Sequence, residues 1–241
     1  MIQPALTPLE QQQLNVASSP APTFWHHVRF EVVRRSAEQL GFDAVLDFGA
    51  GSGLLGDHLH NTGLTYRFAE ASDPLRRALL ARFGRGALAG DADPIEADTL
   101  VALLDVIEHA DDDGAVLGSL ARRMAPCAGL IVTAPAMRWL LSSWDRDLGH
   151  HRRYHRREAA TVVRSAGFEV LEASYLFPEL VPIALLRWFR SSDGTAAEFP
   201  SIPGFVDRMA RVLGRATVAL RPIWPLGTSV LVIARRAEGG P

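Results

Sequence analysis

The sequence predicts an α/β protein whose mostly parallel sheet is covered by helices on both faces. Three observations carry this. Short apolar runs alternate with segments of helical spacing, the first apolar run flows straight into glycines, and acidic residues stand at or just after the ends of several runs. Strands that alternate with helices lie parallel and are joined by crossovers, and such sheets bind ligands outside the carboxyl ends of their strands.

Residues 1-23, with several Gln and Pro, read as a loosely ordered N-terminal arm ahead of one domain over 24-241. Phe24 to Leu40 places Phe24, Val28, Val32 and Leu40 near helical spacing. Ala44 to Phe48 reads as a buried strand and Leu54 to His60 as the helix behind it. Thr65 to Glu70 is a second strand, and Pro74 to Phe83 a helix with Pro in its first turn. A third, short strand precedes Asp91. Thr99 to Leu104 is the fourth, ending on Asp105, and Gly129 to Ala134 the fifth, with a helix over Asp113 to Ala125 between them. Arg138 to Arg157, rich in Arg, His and Trp, reads as a loop over the rim. A helix over Arg156 to Ala166 is stopped by Gly167. Phe168 to Ala173 is the sixth strand and Ser229 to Ala234 the last, with a mostly helical insertion at about 176-226 between them.

Composition narrows the function classes. With 48% hydrophobic and 22% charged residues and a net charge of -2, the chain reads as a globular protein without a nucleic-acid face. Every basic residue apart from His is Arg, so lysine Schiff-base chemistry is excluded. The single cysteine, Cys127, rules out a disulfide within the chain and argues against a thiolate zinc cluster. A cytoplasmic location is expected, since the start lacks a basic n-region followed by an apolar run. The apolar stretch Leu176 to Phe189 is interrupted by Pro178, Glu179, Pro182 and Arg187, too broken to span a bilayer.

The turn Asp47-Phe48-Gly49-Ala50-Gly51-Ser52-Gly53 carries the chemistry. Its glycines permit close backbone approach, and the helix behind offers free N–H groups. Two cofactors compete for it. Gly51, Gly53 and Gly56 match the dinucleotide fingerprint of an NAD-dependent oxidoreductase, but that fingerprint begins a few residues late for one opening directly off the strand. A carboxylate at the strand end, Asp47, repels a pyrophosphate and suits the ammonium and sulfonium of S-adenosyl-L-methionine. Asp47, Glu70, Asp91 and Asp105 would converge on one rim.

With these residues the chain resembles the class I S-adenosyl-L-methionine-dependent methyltransferases, in their bacterial small-molecule branch. The resemblance runs over roughly Phe24 to Phe177 and resumes at the last strand. Val45 to Gly53 looks like the family's first motif, and Leu104-Asp105-Val106-Ile107-Glu108-His109 like its fourth-strand motif with a Glu-His pair. The resemblance implies a Rossmann-like seven-stranded sheet of order 3-2-1-4-5-7-6 with the seventh strand antiparallel. It also implies cofactor contacts from Asp47, Gly49, Ala50, Gly51 and Gly53. Glu70 would hold the ribose hydroxyls and Asp91 the adenine amino group, with Ala71, Ala92, Asp105 and Val106 beside them. Asp73 is an alternative for the ribose role, because Ala71-Ser72-Asp73 departs from the family's pattern. The product would be S-adenosyl-L-homocysteine.

The expected function is methyl transfer to a small-molecule acceptor, anionic or lipid-like, by in-line displacement. His109, His150 and Tyr154 are the candidates for moving the acceptor's proton, and Trp25, Arg29, Trp144 and Arg153 for binding it. His109 with Glu108 reads equally as a buried pair that shapes the loop. No metal site is expected: Asp111, Asp112 and Asp113 read as helix N-terminal charges, and His150, His151 and His155 lack good partners. Arg208, Arg211 and Arg215 beside Met209, Val212 and Leu213 make a basic amphipathic helix, a candidate for peripheral membrane or lipid contact through 176-220. A non-catalytic partner subunit that keeps the fold is the further alternative.

Overall fold

A computed structural model describes residues 6–18, 22–190 and 203–238. Six strands form one sheet: β1 (Ala44–Phe48), β2 (Thr65–Ala69), β3 (Thr99–Leu104), β4 (Gly129–Pro135), β5 (Phe168–Leu176) and β6 (Ser229–Arg236), in the order β2-β1-β3-β4-β6-β5. Strands β2, β1, β3 and β4 run parallel, and β6 lies antiparallel between β4 and β5. This is the expected order with one strand fewer, a correction to the expected seven. The strand expected before Asp91 shrinks to a single parallel bridge between Leu88 and Phe68, where the Ala89 N–H donates to the Phe68 carbonyl at 2.8 Å. Gly84, Gly86, Gly90 and Pro94 crowd that segment, and such residues make poor strands.

The period-2 alternation of the strands sorts side chains to two cores. Val45, Leu100, Ala102, Ile131 and Leu231 face α2 (Phe24–Leu40) and α3 (Leu54–Leu59), with α9 (Gly204–Ala219) against them, while Val101, Leu103, Leu130, Val132 and Val232 face α5 (Asp113–Arg123) and α7 (Arg156–Ser165). Strand β4 is buried on both faces over Gly129–Ala134, as a central strand between two helical layers must be. The rim loop holds a short helix, α6 (Ser143–Asp147), and the insertion carries α8 (Val181–Arg190) and α9; its residues 191–202 lie outside the described residues.

The arm departs from the expectation of loose order. Pro8–Ser18 is a helix, α1, packed on α4 (Asp73–Phe83). Its start is a capping box: Thr7 Oγ1 accepts from the Glu10 N–H at 3.2 Å, and Glu10 Oε2 accepts from the Thr7 N–H at 2.8 Å. At the other end of the fold, Asp207 of α9 accepts from the Phe24 N–H at 2.6 Å, so the insertion caps the N-terminus of α2. Among the described residues no helix is long and apolar enough to cross a membrane.

Gly227 lies where the chain enters β6, and a Cβ there would stand 2.2 Å from the Leu176 carbonyl oxygen. Backbone cannot swing aside as a side chain does. Gly227→Ala is therefore expected to lower stability by about 2 kcal/mol, read as a drop in the urea midpoint at unchanged slope; an unshifted midpoint would show that the β5–β6 end is free to adjust.

Candidate active site

The rim is organised by the turn after β1. Gly49 and Ala50 donate their N–H groups to the Ala69 carbonyl at 2.8 and 3.3 Å, and Gly53 donates to Ala50 at 2.9 Å. Gly49, Gly51 and Gly53 have φ of 78, 53 and 74°, a region that L side chains enter at a cost. A Cβ at Gly49 would meet Val106 Cγ2 at 2.8 Å, and one at Gly51 would meet Gln13 Oε1 at 2.6 Å. The turn thus needs its glycines both for its conformation and for the close approach of neighbours.

Glu70 ties this turn to the next. Its Oε2 accepts from the Gly51 N–H and its Oε1 from the Ser72 N–H, each at 2.8 Å. A carboxylate offers about four acceptor sites, so the lone pairs left over can take the two hydroxyls of a ribose. Asp47 is 3% exposed beneath the turn and accepts from the Tyr66 hydroxyl at 3.1 Å. Asp91, Ala92 and Ala71 are exposed on turns beyond the end of β2; Asp93, not Asp91, closes its own turn by accepting from the Gly90 N–H at 2.8 Å. Helix α1 adds two residues that the sequence reading missed: Glu10, whose Oε1 accepts from Ser72 Oγ at 2.6 Å, and Gln13 over Gly51. The signal was Thr7-Pro8-Leu9-Glu10, a capping box with Pro at the first helical position.

Across the rim, Asp105 ends β3 at φ 58° and accepts from Arg29 Nη1 of α2 at 2.5 Å and from Thr133 Oγ1 at 3.2 Å. Trp25, on the same helix, packs edge-on to Phe24 with ring centres 5.3 Å apart. After Asp105 the chain makes a 3-10 turn, Ile107–His109, that buries Glu108 completely. Burial, and then the charge of Asp105, pushes the Glu108 carboxyl well above its ordinary range. The rim loop lays His150 against His109, rings edge to face at 4.8 Å. His109 Nδ1 bonds the Gly149 carbonyl and His150 Nδ1 bonds Asp145 Oδ1, both at 3.1 Å. Burial, and then His150, lowers the His109 pKa.

Two expected acceptor residues are occupied elsewhere. Arg153 forms a two-pronged ion pair with the buried Asp145, at 2.9 and 2.7 Å, and donates to the Ala136 carbonyl at 3.0 Å. Tyr154 is 2% exposed, and its hydroxyl donates to Asp113 at 2.7 Å. Both brace the loop. Trp144 lies on α6, and its side chain is outside the described residues. Asp145 was the other residue missed: burial raises its pKa, but hydrogen bonds from His150 and Arg153 outweigh that and hold it at about 2. In sequence it is one acid among many charges.

Burial raises the Asp47 pKa from 3.8 to about 7, with the Tyr66 hydrogen bond acting against the rise and Glu70 adding to it. The folded value is the higher one, so the folded protein holds this proton more tightly. Its contribution is full below about pH 4, declines as pH climbs toward 7, and is level above. Asp47→Asn is expected to be more stable than the wild type by up to about 4 kcal/mol above pH 7, with the gap closing toward pH 4; melting curves across that range giving a constant gap would contradict the assignment.

The Methyltransferase domain family matches residues 24–173. Among curated proteins no relative matches the chain. Among solved structures, a chain from the complex between the Haloferax volcanii Trm112 methyltransferase activator and a methyltransferase is similar with a TM-score of 0.59 at 17% identity, over 97% of this chain and 100% of that one. An Archaeoglobus fulgidus SAM-dependent methyltransferase is similar at 0.52 and 15%, over 86% and 94%. Haemonchus contortus phosphoethanolamine N-methyltransferase 2, solved with S-adenosyl-L-methionine, is similar at 0.54 and 11%, over 99% of this chain and 62% of that one. At such identities the likeness concerns the fold; the family match covers more than half of the 241 residues, and the chain belongs to the Methyltransferase domain family.

Proposed function

We propose that the chain transfers a methyl group from S-adenosyl-L-methionine to a small-molecule acceptor, leaving S-adenosyl-L-homocysteine. The observation that carries this is the Glu70 carboxylate, pinned by the Gly51 and Ser72 N–H groups at the mouth of the glycine turn with acceptor sites to spare. Glu70 holds the ribose, Asp91 with Ala92 and Ala71 the adenine side, and Gly49 to Gly53 the methionine end; Asp105 and Val106 close the far wall. The cofactor supplies the electrophilic methyl group, and the protein's work is alignment and exclusion of water. His109 and His150 face the acceptor, while Tyr154 and Arg153 position the loop that carries His150.

An oxidoreductase reading is disfavoured by the place of the fingerprint: β1 ends at Phe48, so Gly51 does not open directly off the strand as the first glycine of a dinucleotide site does. Calorimetry on one preparation is expected to show binding of S-adenosyl-L-methionine and none of NAD; binding of NAD alone would overturn the reading. Glu70→Ala is expected to weaken the methyl donor by about tenfold to a hundredfold. A function that survives this change in a chain without donor affinity would point instead to a non-catalytic partner subunit.

The acceptor is lipid-like in this reading. Two Arg groups of the rim loop are paired, Arg153 with Asp145 and Arg152 with Asp113 at 3.3 Å, which weakens the case for an anion at them. Trp139 and Trp188 instead meet edge to face at 6.2 Å between the loop and α8, both well exposed. Along α9, Phe205, Met209 and Val212 share one exposed face at helical spacing, 74, 69 and 64% accessible. We assign this face to a lipid surface. The full chain is expected to sediment with phosphatidylglycerol-containing vesicles and Met209→Glu with Val212→Glu to stay in solution; equal sedimentation of the two proteins would remove the assignment.

A further inference from the structure

The acceptor side contains a group whose chemistry is incomplete. Glu108 is 0% exposed, and neither of its carboxylate oxygens has a hydrogen-bond partner among the described residues. Arg29 and Arg153 lie near enough to act on its charge, yet they donate to Asp105, and to Asp145 and the Ala136 carbonyl. Buried carboxylates are otherwise satisfied by hydrogen bonds, a paired cation or a metal. One oxygen of Glu108, one ring nitrogen of His109 and one of His150 lie within 4.8 Å of one another.

Both imidazoles are oriented as metal ligands are. The Gly149 carbonyl and the Asp145 carboxylate can only accept, so each Nδ1 bonded to them carries the hydrogen. That leaves the Nε2 lone pair of His109 and of His150 as the free donor. Ligating histidines ordinarily donate their second N–H to a carboxylate or a backbone carbonyl, and such partners keep the ring in place. Asp145 is in turn held by Arg153 and by the Ser142 N–H at 2.9 Å.

We propose that Glu108, His109 and His150 form a site for a divalent transition-metal ion, with zinc the best match to two imidazoles and one carboxylate. Three protein ligands leave an open position, the arrangement of catalytic rather than structural zinc. Bonds of about 2.1 Å in a tetrahedron set donors about 3.4 Å apart, so closing the set takes about an ångström of side-chain movement. The ion answers the orphaned carboxylate and assigns the Glu-His pair a role as ligands in place of a base. An open position would suit an oxygen of the acceptor; that use alone rests on the proposed methyl transfer, and the metal site does not.

The test uses the full chain, stripped with chelator and titrated with cobalt(II) as a spectroscopic probe. One equivalent is expected to give intense ligand-field bands of four-coordinate cobalt and to be displaced by zinc. His109→Ala, His150→Ala and Glu108→Gln should each weaken binding by about a hundredfold. Asp145→Asn should weaken it by about tenfold, and His60→Ala, an exposed histidine remote from the cluster in sequence, should leave it unchanged. Absence of stoichiometric cobalt or zinc binding by the wild type overturns the proposal, as does binding that is unaltered in Glu108→Gln and His150→Ala. The same stripped samples are titrated with S-adenosyl-L-methionine: donor binding without metal binding removes the metal site alone, whereas metal binding without donor binding removes the methyl-transfer reading alone.

Discussion

One carboxylate holds the glycine-turn side of the rim together. Glu70 receives the N–H of Gly51 from one turn and the N–H of Ser72 from the next, which fixes the mouths of the first two crossovers to each other. Hydrogen bonds to a charged acceptor are worth about 1.5–3 kcal/mol each, so the pair is strong for a surface turn. Everything the rim can bind on this side depends on it: the glycines keep their left-handed conformation, and Ser72 carries helix α1 through Glu10. The parallel pairing of β1 with β2 places the residue in reach, since Phe48 lies opposite Ala69 and the two turns leave the sheet side by side.

The acceptor side follows a different logic. Here acids are held in company: Asp105 with Arg29, the buried Asp145 with His150 and Arg153, and Asp113 with Tyr154. The Asp145 contacts tie the 136–155 segment to itself, and Tyr154 ties it to the start of α5. Glu108, completely buried and without a hydrogen-bond partner among the described residues, stands outside this scheme.

The sequence made the scaffold legible where local and global signals agree. Helix α2 and strands β1 and β3 lie where spacing and apolar runs put them, because each is buried along a regular face. The third strand was not recoverable as a bridge: the apolar Ala87-Leu88-Ala89 favours a strand, and only tertiary context shows that the surrounding glycines leave it a single pair. Helix α1 was legible in its capping box but masked by Gln and Pro. Asp47 was legible as an acid at the end of an apolar run, whereas its burial beneath the turn was not. Asp145 and Glu108 owe their character to complete burial, which no local pattern of charges conveys.

The central claim is that the donor lies against Glu70 at the mouth of the glycine turn. A crystal structure of the full chain with S-adenosyl-L-homocysteine tests it most directly. The account predicts both ribose hydroxyls within hydrogen-bond distance of the Glu70 carboxylate, with the adenine toward Asp91 and the amino-acid end over Gly49 to Gly53. A ligand bound elsewhere, or one whose ribose leaves Glu70 untouched, would contradict it.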